Sequence, residues 1–156
     1  MLDLEILCIL FFGTLLHEAP AAVQGSSEQQ HVICSVTQPF EVCASQLHLG
    51  DPDLAATLEF SAGLYHLGCS GPCLQLKHRQ RLTVIGQDAV VLESLSPNSF
   101  LAASGTSMVT IASLQIVNYT SRSSSLIKVM EAASLTLSAV KVRNASAPAG
   151  SVLHFR

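Results

Sequence analysis

Tryptophan is absent from this 156-residue chain, aromatic residues make up only 5% of it, and charged residues only 12%. The missing Trp argues against an immunoglobulin-like sandwich, whose core is usually built around one. So little charge fits neither a disordered segment nor a coiled coil, both of which are rich in charged side chains. An excess of positive charge is lacking too. The net charge is −3, which leaves no electrostatic footprint for nucleic acid, a partner that requires clustered cations. Beyond the N-terminus there is no long apolar run, so no membrane span is expected in the mature chain. What remains is a composition 49% hydrophobic, in which Val, Ile, Leu and Ala suit a core beneath a Ser/Thr surface.

The one long apolar run, Ile6 to Leu16, is too short to span a bilayer comfortably and matches the core of a signal peptide. Small residues follow it, and cleavage after Ala21 or Gly25 satisfies the small-residue rule. Asp3 and Glu5 stand where Lys or Arg is usual. The chain is therefore divided into a signal peptide (1–25), an N-terminal cap region (26–56) and a repeat region (57–156), and is expected to be secreted or displayed at the cell surface. Cys8 would leave with the leader. Cys34, Cys43, Cys69 and Cys73 remain, an even count that suggests disulfides with three connectivities open. Proximity favours Cys34–Cys43 and Cys69–Cys73. A zinc site needs two close pairs and only one is present, so neither a metal nor any other cofactor is expected.

Three apolar-Thr-apolar triplets recur: Leu82-Thr83-Val84, Val109-Thr110-Ile111 and Leu135-Thr136-Leu137. The interval between them is constant to within a single position, and each alternates as a strand does, apolar side chains inward and Thr outward. A second set follows (Val90/Leu92, Leu114/Ile116, Val140/Val142), then a third (Leu101/Ala103, Ile127/Val129, Leu153/Phe155). Each repeat thus carries three short strands. A less regular coil precedes them, with Leu58/Phe60, Leu64 to Leu67 and Leu74/Leu76. The pattern predicts an all-β fold, a right-handed parallel β-helix of about four coils, in which each strand pairs with its equivalent one coil away. A leucine-rich-repeat-like solenoid is the alternative, since Ile111 to Asn118 and Leu137 to Asn144 nearly fit that motif. Nothing after the final strand resembles a cap, so the chain reads as part of a longer solenoid, or as one that self-associates through an open C-terminal coil.

The run Val142 to Val152, with its Arg143-Asn144-Ala145 and Gly150, resembles the repeats of polymorphic outer-membrane-protein and pectin-lyase-like β-helices. Phe60-Ser61-Ala62-Gly63-Leu64-Tyr65 is similar to the Gly-x-Tyr that opens many such helices. The resemblance covers Leu58 to Arg156, without the paired Asn and paired Gly of those repeats. It implies the fold and a surface setting.

Asn118-Tyr119-Thr120 and Asn144-Ala145-Ser146 both satisfy the N-glycosylation pattern, and the interval between them equals that between the last two triplets. Strand parity opposes that reading, because both Asn share a face with inward apolar residues. They could equally stack inside and bond to the backbone. Lys77, Arg79 and Arg81 form the only basic run, either a patch for acidic polysaccharide or a solvated turn. A pectin-lyase-like lyase or hydrolase needs clustered carboxylates, whereas Asp88, Glu93 and Glu131 are scattered, so no catalytic residue is assigned. The expectation is a structural, adhesive or glycan-contacting module, with a polysaccharide or other surface glycan as partner. A polysaccharide lyase or hydrolase is the alternative.

Overall fold

The computed structural model describes residues 29–156, apart from 88, 96, 122, 123 and 148–151; the expected signal peptide lies outside the described residues. The strands are β1 (Gln30–Cys34), β2 (Ala55–Phe60), β3 (Gly63–Leu67), β4 (Leu74–Leu76), β5 (Arg81–Gly86), β6 (Val90–Ser94), β7 (Leu101–Ala103), β8 (Met108–Ala112), β9 (Gln115–Val117), β10 (Ile127–Val129), β11 (Ser134–Ser138), β12 (Lys141–Arg143) and β13 (Leu153–Phe155), with one short helix, α1 (Phe40–Ala44). They assemble into three wholly parallel sheets. Sheet A runs β1-β2-β5-β8-β11, sheet B β3-β6-β9-β12 and sheet C β4-β7-β10-β13. The chain visits A, B and C in turn four times, with β1 as an extra rung of sheet A in front. The architecture is a nearly all-β parallel solenoid, as the spacing predicts, but of about five turns rather than four, because β1 adds a rung within the region expected to be a cap. Each repeat supplies three strands to three sheets, where a leucine-rich repeat would supply one main strand.

The register explains the periodicity. In sheet A, Val32, Leu58, Val84, Ile111 and Leu137 lie in one inward column; in sheet C, Leu74, Leu101, Ile127 and Leu153 do the same. Equivalent positions stack on their own kind, so apolar residues must recur at the coil length. From Leu58 to Ile127 these columns are almost wholly inaccessible.

Corners are made by backbone conformation. Between sheets C and A the positive-φ residues are His78, Gly105 and Glu131; between A and B they are Ala89, Ser113 and Ala139; after β9 and β12 they are Asn118 and Asn144. Each column repeats at about the coil length, so a single left-handed residue turns the chain at these corners. Gly105 must be glycine for a further reason. A Cβ there would come within 2.8 Å of the His78 backbone nitrogen on the adjacent coil.

The N-terminal end is closed. The region expected to form a cap holds both a ladder strand, β1, and the helix α1. From α1, Phe40 stacks on Phe60 at 5.8 Å and lies 6.2 Å from Phe100. The disulfide Cys34–Cys43 ties α1 to β1, and Cys69–Cys73 closes the turn before β4. Two glutamines hold the chain between α1 and β2. Gln30 donates to the Gln46 carbonyl and accepts from the His48 N–H, while buried Gln80 donates to the Leu49 and Asp51 carbonyls. At the other end, Leu137, Val142, Leu153 and Phe155 are 38–62% exposed. Among the described residues, no helix is long and apolar enough to cross a membrane.

Candidate functional site

Sheet A has the most strands, and its outer face is the most regular surface on the molecule. Alternation on each strand sends one set of side chains inward and the other out. The central outward column reads His31, Thr57, Thr83, Thr110 and Thr136, residue for residue in register. Four threonines therefore stand in line, about 4.8 Å apart, the spacing of hydrogen-bonded strands. Small or aliphatic residues flank them over much of the face: Ala55, Met108 and Ser134 on one side, Ile85, Ala112 and Ser138 on the other. Sequence spacing identifies three rungs of this ladder and misses Thr57. The signal is present as Ala56-Thr57-Leu58, one coil length before the next triplet. It is hidden because Ala56 is small and because Phe60 and Leu58 dominate the local pattern.

The ladder ends in a recess of about 380 Å³ lined by Gln29, His31, Thr57 and Glu59. Gln29 Nε2 donates to Thr57 Oγ1 at 3.4 Å, and His31 Nε2 lies 2.7 Å from Glu59 Oε2. The second oxygen of Glu59 accepts from Gln87 Nε2 on the next coil. The Gln87 hydrogen bond, and after it the one from His31, hold the Glu59 carboxyl below its ordinary value. Because the folded value is the lower one, the interaction favours the fold above the ordinary Glu range and is lost as pH falls through the folded value. Following the Glu59 carboxyl carbon by NMR, Gln87→Ala should raise its titration midpoint toward the ordinary value, and His31→Ala should move it in the same direction. An unmoved midpoint in Gln87→Ala would remove this account.

A second polar row crosses the coils at the end of sheet B. His66 Nδ1 lies 3.1 Å from Glu93 Oε2, Asn118 Nδ2 donates to Glu93 Oε1 at 2.7 Å, and Asn144 Nδ2 donates to Asn118 Oδ1 at 3.3 Å. Parity alone leaves open an inward Asn118 and Asn144. Both are exposed. Their positive φ breaks the alternation and sends the following residue inside, so that Tyr119 is fully buried, with its hydroxyl donating to the Ser124 carbonyl at 2.8 Å. Burial raises the Tyr119 phenol above its ordinary value.

The basic run is divided among different environments. Lys77 is exposed at the corner leading to β5, and its N–H donates to Gln80 Oε1. Arg79 pairs with Asp53 at 3.2 Å, both largely exposed, an arrangement worth little stability. Arg81 opens β5 on the outer face of sheet A, in register with Ala55 and Met108. Among the described residues, no three His, Cys, Asp or Glu side chains converge closely enough to hold a metal ion. No protein-family model matches the chain, and no curated protein or solved structure matches it either.

Proposed function

We propose that this protein is a secreted or cell-surface β-solenoid module with a structural or adhesive role, and that it contacts a surface polysaccharide through the outer face of sheet A. The observation that carries this is the threonine ladder, which runs in register through four coils into the recess at His31 and Glu59. Each Thr hydroxyl both donates and accepts, and a neutral sugar chain laid along the solenoid axis offers hydroxyls of the same two kinds. The parallel strands fix the hydroxyls before binding, so little ordering entropy is lost on contact. Two disulfides in so small a chain suit an oxidising, exported setting. Self-association through the exposed apolar side of the last coil belongs to the same reading, and light scattering of the full chain reads it directly.

Co-sedimentation with insoluble polysaccharides (cellulose, chitin, xylan) tests the proposal. The wild-type protein should pellet with at least one of them. A Thr83→Lys/Thr110→Lys variant should bind at least tenfold less while still unfolding cooperatively, its melting temperature lowered only modestly by two like charges on adjacent rungs. Retention by none of the three, or equal retention of both proteins, would overturn the reading.

A further inference from the structure

We propose that Asn118 and Asn144 form a single, mutually exclusive glycosylation site: a folded molecule carries an N-glycan on one of them and never on both. The proposal rests on the reading of the chain as secreted and concerns a surface distinct from the threonine face. Both asparagines are exposed, with φ of 56° and 52°, at equivalent corners of successive coils. Their side chains touch, Asn144 Nδ2 to Asn118 Oδ1 at 3.3 Å. The hydroxyl residues of the two motifs also face each other, Thr120 and Ser146 forming a parallel bridge.

The corner cannot swing either residue aside. Tyr119 behind Asn118 is fully buried and hydrogen-bonded, and Lys141–Arg143 pairs residue for residue with Gln115–Val117 just before it. Adjacent rungs are about 4.8 Å apart. That is too close for two acetamido sugars, each with its branches, to leave side by side. Asn118 is confined from below as well, since Glu93 accepts from its Nδ2.

The modification joins Nδ2 to the anomeric carbon of an oligosaccharide supplied by a lipid-diphosphate donor. The anomeric C–O bond breaks, and the Nδ2 proton leaves with the lipid diphosphate. Each modified Asn keeps one N–H, so one glycan is compatible with the Asn118–Asn144 hydrogen bond. Transfer to an extended chain can reach both sites. The exclusion acts when the coils stack, because two glycans hold the corners after β9 and β12 apart and the last coil cannot close.

The full chain is produced in a eukaryotic secretory host, as wild type, Asn118→Gln and Asn144→Gln, and the secreted proteins are weighed intact before and after enzymatic deglycosylation. One glycan is expected on the wild type and one on each variant, at the remaining site. Two glycans on secreted wild type, or none on it or on either variant, overturns the proposal. Retention in the cytosol with Met1 in place would instead reject the secretion reading. Replacing residues 1–25 by a proven leader then applies the same mass test to the exclusion itself.

Discussion

Ile127→Asp is expected to abolish cooperative thermal unfolding or to lower the midpoint by more than about 10 °C, while Thr110→Lys shifts it by no more than a few degrees. The two residues sit on opposite sides of the solenoid wall. Ile127 is 1% exposed and lies in register between Leu101 and Leu153, with no polar group in its column. An unpaired carboxylate placed there costs several kcal/mol, against a total stability of roughly 5–15 kcal/mol for a domain of this kind. Thr110 points outward in the threonine ladder, where a longer polar side chain reaches water and the change is normally within about 0.5 kcal/mol. Circular dichroism melts decide the matter. Equal sensitivity at the two positions would mean that the inward and outward columns are wrongly assigned.

Phe40→Ala should be nearly as damaging, through a different cause. Parallel solenoids leave an open core and unpaired strand edges at each end, which must be covered. Here the N-terminal cover is a helix of only five residues, far too short to persist without tertiary contacts. Phe40 anchors it, 1% exposed and stacked nearly parallel to Phe60, with 11° between the ring planes. Deleting a buried Phe ring leaves a cavity and costs ~3–5 kcal/mol. Hydrogen exchange should then accelerate first in β2, β3 and β4, the strands next to the lost plug. Val42→Ala, on the same helix but 50% exposed, serves as the control and should change little. If the two substitutions lowered stability alike, α1 would be a bystander to the closure of the core.

Most of the solenoid was legible because its strands obey a simple rule. Inward residues contact their own equivalents one coil away, so hydrophobicity recurs at the coil length and marks β5, β8 and β11, then β7, β10 and β13. The neighbouring-cysteine pairing was legible for a related reason, since short loops bring those Cα atoms within 5.6 Å and 5.3 Å. β1 was hidden. Val32 and Cys34 pair with Leu58 and Phe60, again one coil length on, but the side-chain types differ and no Thr marks the triplet. The corners were hidden as well. Their direction is set by φ at one residue, which hydrophobic patterning does not report, so the outward Asn118, the inward Tyr119 and the polar row from His66 to Asn144 could not be placed. The recess at Glu59 was missed because its members come from successive coils, and only the register brings them together.

The left-handed corners bear on how freely this sequence can drift. Among the described residues, seven other than glycine hold positive φ, and five of them (His78, Ala89, Ser113, Glu131 and Ala139) lack the amide that eases the conformation for Asn. Each such residue carries a penalty on the order of 1 kcal/mol, part of which a glycine would relieve. One corner column uses His, Gly and Glu, and another Ala, Ser and Ala, so the bend does not depend on side-chain identity. At these sites, Gly105 apart, selection acts on a small energetic cost rather than on a required chemical group. Successive coils can therefore lose nearly all mutual identity at their corners while their walls stay in register, and the same positions hold a latent margin from which a more stable variant could be bred.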